Sequence, residues 1–306
     1  MIFVSISSYC DPELIPTIKD CVANAMSPEE LRIVVCWQHQ PGDDDPSELR
    51  VAPALLHVID VPYMEAKGCC WARQQTQEFY NGESWFLQLD SHHRFTHGWD
   101  VSLHQQAIQT RSPKPILGSY CTEYQIGPPE VRMDLIPQVM MVTRCTSDGV
   151  ILFRGGLCES WLNVLHMPPQ RARFTSGHFL FAPGSFVTDV PADPEVYFTG
   201  EEIMLPARGF SHGYDLFHPS RAILYHEYTR QARPKHWDHH TQWHVQSNKG
   251  ERHVLDLLTR WPIGRLEFGT VRSKADYEAY TGLDFTNWTA SDAARAGREP
   301  PPIRKL

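Results

Sequence analysis

The sequence lacks a surplus of positive charge, a long hydrophobic run and a recognisable secretion signal. Its net charge is -8 at pH 7, whereas a broad nucleic-acid-binding surface normally needs a basic face. No apolar stretch approaches the roughly 20 residues that cross a membrane as a helix. Residues 1–6 run directly into a predicted strand and carry no basic region, unlike a signal peptide. We therefore expect a cytoplasmic protein with no nucleic-acid partner and no membrane span.

Closely spaced cysteine pairs are also missing. The eight cysteines are scattered along the chain and none forms a Cys-x-x-Cys pair, so a zinc ribbon is not expected. In a cytoplasmic chain we expect eight free thiols that serve as packing residues. Hydrophobic residues make up 42% of the 306 positions and charged residues 21%, which is typical of a globular enzyme with one large domain or two small ones.

Strands and helices alternate in the first 120 residues. Apolar runs and turn residues predict strands at 2–8, 31–37, 55–61, 85–89 and 115–120, with helices between them at 11–25, 66–81 and 98–110. Asp11 and Pro12 suit the N-cap and the first position of the first helix. Repeated strand-helix-strand units favour right-handed crossovers. The predicted fold class is α/β, with a mostly parallel central sheet flanked by helices.

The rest of the chain is less regular. Prolines cluster between residues 121 and 200, which predicts short antiparallel strands. Helices are predicted at 202–210, 254–260 and 274–280, and a strand at 221–225. The proline-rich tail at 298–302 predicts a loosely docked extension. We expect one domain over residues 1–285, divided into a regular half (1–120) and an irregular half (121–285), followed by an extension over 286–306.

The predicted strand at 85–89 ends in the most informative motif, Asp90-Ser91-His92. Ligands bind at the carboxyl ends of strands in α/β sheets. A carboxylate oxygen and an imidazole nitrogen there form part of a shell for a divalent metal, with room for phosphate oxygens. Mixed nitrogen and oxygen ligands suit Mn²⁺, with Mg²⁺ less favoured. The alternative from this pattern alone is an ordinary turn at the end of a strand.

Several motifs in a fixed order extend this interpretation. Asp90-Ser91-His92 resembles the Asp-x-His variant of the Asp-x-Asp motif of nucleotide-sugar glycosyltransferases with the GT-A fold, a Rossmann-like fold, and residues 65–73 resemble the helix that precedes that motif. Further matches follow at 198–202, Arg208, 213–215 and 225–228. Over roughly residues 1–232 the chain resembles the Skp1-type polypeptide α-N-acetylglucosaminyltransferases (glycosyltransferase family 60). It resembles the polypeptide N-acetylgalactosaminyltransferases more distantly.

The resemblance implies an activity and its partners. It implies a GT-A domain in which residues 1–120 bind the nucleotide and residues 121–285 bind the sugar and the acceptor. It implies metal-dependent, retaining transfer of a sugar, N-acetylglucosamine, from a UDP-sugar to a hydroxyl group. The acceptor is then a protein, peptide or glycan, and the cofactor is Mn²⁺ or Mg²⁺. The oligomeric state is left open.

The resemblance also assigns roles to individual residues. His226 becomes the third metal ligand beside Asp90 and His92. Ser7, Ser8, Tyr9 and Asp11 occupy the place where family members contact the uridine, although Asp11 would also serve as a helix cap. Arg73 resembles an arginine that meets phosphate or base; the alternative is an exposed helix residue.

Two acids and a histidine-rich segment complete the predicted site. By the resemblance, Glu201 contacts sugar hydroxyls, with Glu202 as the alternate, and neither is assigned as a nucleophile. The departing β-phosphate would then deprotonate the acceptor hydroxyl. We interpret residues 235–240 as a mobile loop over the diphosphate with Trp237 as its apolar anchor and Arg230, Arg233 or Lys235 supplying charge. A second metal site in this segment is the alternative.

Two other functions compete with sugar transfer. A metal-dependent hydrolase would use Asp90, His92 and His226 to activate water, but the chain has neither a His-x-His nor a His-Glu-x-x-His motif. A non-catalytic UDP-sugar-binding or glycan-binding protein on the same fold would tolerate loss of the acidic and histidine residues. Retention of Asp90, His92, Glu201 and His226 speaks against such decay.

Overall fold

The strands and helices of the chain are taken from a computed structural model, which describes residues 1–157, 167–229 and 233–303. Within these ranges the strands are β1 (Ile2–Tyr9), β2 (Leu31–His39), β3 (Leu55–Pro62), β4 (Trp85–Asp90), β5 (His93–Phe95), β6 (Pro115–Leu117), β7 (Thr122–Gln125), β8 (Val131–Arg132), β9 (Gln138–Cys145), β10 (Ile151–Leu157), β11 (Gln170–Arg171), β12 (Phe179–Pro183), β13 (Asp215–His218), β14 (Leu224–His226), β15 (Leu283–Asp284) and β16 (Thr289–Ala290). The α-helices are α1 (Leu14–Asn24), α2 (Cys69–Gln77), α3 (Trp99–Gln109), α4 (Phe186–Asp189), α5 (Glu201–Ser211), α6 (His236–His239), α7 (Trp243–Arg260), α8 (Lys274–Thr281) and α9 (Asp292–Arg295).

The central sheet has the strand order β11-β13-β6-β12-β4-β1-β2-β3. β1 pairs in parallel with β2 and β4, and β2 pairs in parallel with β3. β12 runs antiparallel between β4 and β6. Buried side chains from both faces of the sheet form two large apolar clusters, because helices cover each face. The predicted α/β fold with a mostly parallel central sheet is confirmed.

Strand register and one antiparallel pairing between distant strands bring the chemically active residues together. Ser7 lies opposite Asp90 at the carboxyl ends of β1 and β4. The chain turns at residues 91–92 into β5, which pairs antiparallel with β14, so that His93 lies opposite His226. This pairing explains how His226 reaches Asp90 and His92 although it is distant in sequence.

Two predicted helix starts are wrong. α1 begins at Leu14 with Glu13 as its N-cap residue, so Asp11 is not the cap. The carboxylate of Asp11 accepts one bond from the Glu13 main-chain N–H but turns mainly to Ser91 and His92. α2 begins at Cys69 because Gly68 has φ +115°, a left-handed conformation that ends the preceding segment.

The C-terminal part differs from expectation in two ways. α7 spans 18 residues instead of the seven predicted at 254–260. The first two residues of the tail are held in place, because Arg173 donates hydrogen bonds to the main-chain oxygens of Arg298 (2.9 Å) and Glu299 (3.1 Å). The prediction of a loosely docked tail is therefore wrong for these two residues. The hairpin of β15 and β16 spans position 285. The division into residues 1–285 and 286–306 stays a prediction.

The predictions about cysteines and membrane spans can be compared with the structure over the described residues. Seven cysteines in these ranges are free thiols, and Cys158 lies outside them. Across the same ranges, no helix combines the length and the apolar character that a membrane crossing requires.

Candidate active site

A compact group of three side chains lies at the carboxyl end of β4 and consists of Asp90, His92 and His226. We call it the metal group, because its members are the candidate ligands of a divalent ion. One ligand atom of each side chain lies within 4.8 Å of the others. Nε2 of His92 is 3.7 Å and Nε2 of His226 is 3.5 Å from Oδ2 of Asp90. Both Nε2 atoms are buried without a hydrogen-bond partner among the described residues. Buried, unsatisfied nitrogens beside a carboxylate fit the donor set of a divalent transition metal.

The ionic environment keeps the carboxylate of this group charged. Burial alone would raise the pKa of Asp90, but the contact with His226 and the charge of Arg73 hold it well below its usual value. Burial and the nearby His178 lower the pKa of His226 well below its usual value despite the opposing effect of Asp90. A negative oxygen and a neutral imidazole are the forms that bind a metal.

His92 is oriented by Asp11 from the loop after β1. Nδ1 of His92 lies 2.8 Å from Oδ2 of Asp11, and the Ser91 hydroxyl donates to the same oxygen at 2.6 Å. A carboxylate that accepts the Nδ1–H bond leaves the Nε2 lone pair free to bind a metal. Asp11 therefore lies in the predicted nucleotide region, but its carboxylate faces the metal group; contact with uridine stays a prediction.

Arg73 links the metal group to the acids of α5. Its Nη2 donates to Oδ1 of Asp90 at 2.9 Å, and its Nε lies 2.5 Å from Oε1 of Glu201. The side chain is only 2% exposed, so the alternative of an exposed helix arginine is wrong. In the low dielectric of the interior, one guanidinium between two carboxylates offsets much of the cost of burying them.

Glu201 and Glu202 open α5 and face different partners. Gly200, at φ +107°, precedes them and packs so close to Val254 that an added Cβ would lie 2.6 Å from a Val254 methyl carbon. Glu201 accepts a hydrogen bond from Gln88 at 3.2 Å. Burial raises the pKa of Glu201 to about 7 against the opposing charge of Arg73. Near neutral pH this carboxyl group can therefore both donate and accept a hydrogen bond.

Glu202 lies towards a second cleft. It accepts hydrogen bonds from the Tyr120 hydroxyl (2.7 Å) and from the Gly177 main-chain N–H (3.3 Å). Burial also raises the pKa of Glu202, although both hydrogen bonds lower it. The hydrogen bonds of the two acids meet at Gly177, because Gln88 Nε2 donates both to Glu201 and to the Gly177 main-chain oxygen.

The first cleft contains the residues predicted to contact the nucleotide. Ser7, Ser8, Tyr9 and Asp11 line it with Asp90 and His92, and it has about 760 Å³ of empty space. The hydroxyl of Ser8 is buried and has no hydrogen-bond partner among the described residues. An unsatisfied hydroxyl in the wall of a cleft is a donor or acceptor available to a ligand.

Arg233 places positive charge in the same cleft. Its Nη1 donates to Glu227 at 2.9 Å, and its Nε lies 3.6 Å from Asp11. Its Nη2 is buried without a hydrogen-bond partner among the described residues. Of the three charges suggested for the histidine-rich segment, Arg230 lies outside the described residues, and both Arg233 and Lys235 line the cleft.

Part of the histidine-rich segment forms α6, whereas the sequence suggested a loop throughout 235–240. His236 Nδ1 lies 2.5 Å from the Tyr197 hydroxyl, and His239 Nδ1 lies 2.9 Å from the Tyr9 hydroxyl. Burial and the His240 ring lower the pKa of His236 to about 4. These contacts fix α6 over Tyr9, and Trp237 lines the cleft beside Phe198.

The second metal site considered for this segment has no support. Among the residues that the structure describes, Asp90, His92 and His226 are the one group of three side chains with metal-ligand spacing.

A second cleft adjoins the first and shares Asp90 with it. It has about 1370 Å³ of empty space, so it is larger than the first cleft, and it includes Arg73, Asp90, Glu201, Glu202 and His226. Its rim also carries two aromatic side chains, Phe198 (44% exposed) and Tyr228 (38% exposed). A wide cleft with exposed aromatic rings suits a sugar and a larger second ligand.

Sequence reasoning missed several residues of both clefts. Gln38, Cys69 and Tyr197 line the first cleft, and Tyr120 and His178 line the second. Gln38 had a usable signal, since it is a polar residue at the carboxyl end of a predicted strand. His178 had none, because it stands in an irregular segment whose place in the fold the pattern does not reveal.

Comparisons with known proteins identify a family and a fold. A family model described as "Glycosyltransferase (GlcNAc)" matches residues 1–56 and 47–292. No curated protein sequence matches the chain.

Solved glycosyltransferase structures have a similar fold. GalNAc-T7 with UDP, GalNAc and Mn²⁺ aligns with a TM-score of 0.60 and 15% identity over 84% of this chain and 48% of that one. S. aureus TarS 1-349 with UDP aligns with a TM-score of 0.54 and 10% identity over 91% of this chain and 69% of that one. The chain spans about half the length of GalNAc-T7. The predicted GT-A fold is confirmed.

Proposed function

The chain belongs to the GlcNAc glycosyltransferase family, and from that premise we propose that it transfers N-acetylglucosamine from a UDP-sugar to a hydroxyl group of a polypeptide or glycan. The observation that carries the proposal is the group of Asp90, His92 and His226 at the junction of two clefts. One cleft suits a nucleotide and the other suits a sugar and an acceptor. A diphosphate bound across the junction would place the sugar beside Glu201.

Mn²⁺ is the proposed cofactor, held by Asp90 Oδ2 and by Nε2 of both histidines, with Mg²⁺ as the alternative. The GalNAc-T7 structure contains UDP and Mn²⁺, which supports this choice. A bound divalent ion would stabilise the negative charge that develops on the leaving UDP.

The nucleotide would occupy the first cleft. Ser8 offers an unsatisfied hydroxyl to the uridine, and Arg233 offers an unsatisfied N–H bond to the diphosphate. Ser7 and Tyr9 provide further polar and aromatic surface. The ring of Tyr9 packs against His236 with 4.9 Å between centroids. Stacking of uracil on Tyr9 would therefore require a shift of α6, consistent with a segment that covers the bound nucleotide.

The sugar would lie at the start of α5. Glu201, whose pKa is raised to about 7, can accept a hydrogen bond from one sugar hydroxyl or donate one. Glu202 faces the second cleft and is the alternate for this role or for an acceptor contact. Arg73 holds Glu201 and Asp90 at a fixed separation, so that sugar and diphosphate are positioned together.

The proposed chemistry is a substitution at the anomeric carbon. The bond from the anomeric carbon to the β-phosphate oxygen breaks, and its electron pair stays on that oxygen. The acceptor oxygen forms the new bond to the same carbon, and its proton moves to the departing β-phosphate. Attack from the face of the leaving group retains the anomeric configuration and needs no protein nucleophile.

Finer assignments rest on the motif resemblance. The order of Asp-x-His, Gly-Glu and His226 favours the Skp1-type enzymes of glycosyltransferase family 60. The same resemblance divides the chain into a nucleotide half at 1–120 and an acceptor half at 121–285. A cytoplasmic location is proposed with it, in keeping with the free thiols in the described ranges.

Calorimetry with UDP in the presence and absence of Mn²⁺ tests the metal and the nucleotide together. We expect tight binding only with the metal, and equal affinity in both conditions would contradict the metal bridge. Turnover is then measured with UDP-N-acetylglucosamine, UDP-N-acetylgalactosamine and UDP-glucose, with product stereochemistry followed by NMR. Preference for UDP-glucose would refute the proposed donor. Metal-dependent release of free sugar that no hydroxyl acceptor suppresses would favour the hydrolase, and binding without turnover would favour the non-catalytic protein.

A further inference from the structure

The two candidate histidine ligands are oriented in different ways. A metal-binding histidine usually donates its second ring N–H to a carboxylate or a carbonyl oxygen, which fixes the ring. His92 follows this rule through Asp11, at 2.8 Å. His226 does not, because its Nδ1 is buried and has no hydrogen-bond partner among the described residues. No hydrogen bond at Nδ1 therefore sets the rotation of the His226 ring, and its Nε2 has only the long 3.5 Å contact with Asp90.

Neighbouring rings enclose His226. The centroid of its ring lies 4.2 Å from that of His178, at an interplanar angle of 31°. The Tyr228 ring is 4.3 Å away and the His93 ring 4.9 Å away. At these separations the rings are in direct contact, and His178 makes the shortest of the three.

His178 is itself held firmly. It stacks on Tyr120, with centroids 5.3 Å apart and an interplanar angle of 13°. Its Nε2 accepts a hydrogen bond from the Cys121 main-chain N–H at 3.3 Å. The next residue, Phe179, pairs with Leu89 of β4, immediately before Asp90. The backbone that carries His178 is therefore tied to the strand that carries a metal ligand.

We propose that His178 is a positioning residue, which orients the metal ligand His226 by ring packing in place of a hydrogen bond. The proposal rests on the proposed function, because it requires that His226 binds Mn²⁺. The face of the His178 ring orients His226, and its Nε2 anchors His178 to the Cys121 main-chain N–H, with the Tyr228 hydroxyl 3.5 Å away. These two contributions can be separated by substitution.

His178→Phe keeps a flat ring and removes the acceptor nitrogen, whereas His178→Gln keeps an acceptor and removes the ring. The dissociation constant of Mn²⁺ alone is measured for each protein by the electron paramagnetic resonance signal of free Mn²⁺, without nucleotide. We expect His178→Gln to bind Mn²⁺ at least ~10-fold more weakly, the usual effect of losing a group that orients a ligand, and His178→Phe to stay within ~3-fold of the wild type. Thermal unfolding of the same samples separates this effect from a general loss of stability.

The Tyr228 hydroxyl contacts the Cys121 main chain and lies 3.5 Å from His178 Nε2, so Tyr228→Phe serves as a control that removes only these contacts and keeps the ring. Tyr228→Leu is the second variant, at a residue that is 38% exposed. It removes a second ring that contacts His226, so Mn²⁺ affinity should fall several-fold. Wild-type affinity in both His178→Gln and Tyr228→Leu would overturn the inference, as would equal weakening in His178→Phe and His178→Gln. In those cases Mn²⁺-dependent sugar transfer by the wild type would leave the proposed function intact. Failure of the wild type to bind Mn²⁺ would overturn the inference and the metal role together.

Discussion

On the β1 and β4 side of the cleft, ion pairs and hydrogen bonds fix Asp90 and His92, whereas on the β14 side aromatic rings enclose His226. The first side contains Arg73, with its two carboxylate partners, and Asp11, which orients His92. The second side has His178 and Tyr228 around His226.

This difference follows from what each side contributes. The β4 side must hold like charges close together, since the carboxylates of Asp90 and Glu201 share Arg73. Directional, charged contacts offset that repulsion. The β14 side contributes one neutral ring, for which close packing is sufficient. We therefore expect loss of Arg73 to affect folding and function together, and substitutions at His226 to affect function alone.

The largest effect is expected from Arg73→Met. The substitution removes the cation that the two carboxyl groups share and leaves the charged carboxylate of Asp90 without its arginine, which should lower the free energy of unfolding by about 3 kcal/mol. Urea denaturation at pH 7 measures this loss. Arg208→Met is the matched control, because Arg208 is also buried but donates to the main-chain oxygens of Pro191, Arg265 and Glu267.

The control variant loses hydrogen bonds without leaving a carboxylate unpaired, and Arg208 lines neither cleft. It should therefore bind Mn²⁺ and UDP normally at temperatures where it is folded, and Arg73→Met should not. An Arg73→Met protein with wild-type stability would show that the charged Asp90 carboxylate does not depend on Arg73 in the folded protein.

The next effect is expected from His226→Ala. We expect this variant to fold normally and bind Mn²⁺ and UDP more weakly, with transfer at least ~100-fold slower, as for loss of a principal charge-positioning group. Steady-state turnover and thermal unfolding measure the two properties. His97→Ala, at an exposed histidine outside both clefts, should leave both unchanged. Near-normal turnover of a folded His226→Ala protein would mean that another histidine, His236 being the candidate, takes its place.

Sequence reasoning selected Asp90, His92 and His226, which the structure brings together, from strand ends and from motif order. A buried run that stops at Asp90 predicts a site at the edge of the sheet, and the motif order pointed to His226. The same reasoning misplaced Asp11, because an acid before Pro12 suits a helix cap equally well. Only the folded structure, in which the chain turns at residues 91–92 after β4, shows that Asp11 faces His92.

The residues on the β14 side were harder to predict. His178 lies in an irregular segment and Tyr120 at the end of the strand predicted at 115–120, and their meeting with His226 depends on the antiparallel insertion of β12 between β4 and β6. Neither periodicity nor turn chemistry reveals such an insertion. The acids of α5, Glu201 and Glu202, were easier to predict. Gly200 and the helical pattern after it indicate that a helix begins at these residues.

The smallest effect is expected from Asp11→Asn, which also separates two roles of this residue. The amide oxygen can still accept the Nδ1–H bond of His92, but without the negative charge, so Mn²⁺ should bind about tenfold more weakly. Binding of UDP without metal should not change if Asp11 acts through His92, whereas direct contact with uridine would weaken it. Calorimetry with Mn²⁺ alone and with UDP alone distinguishes these cases. Unchanged Mn²⁺ affinity with weaker metal-free UDP binding would assign Asp11 to the nucleotide. The hydrogen bond between His92 and Asp11 would then not be what orients His92, and the contrast between the two sides of the site would be lost.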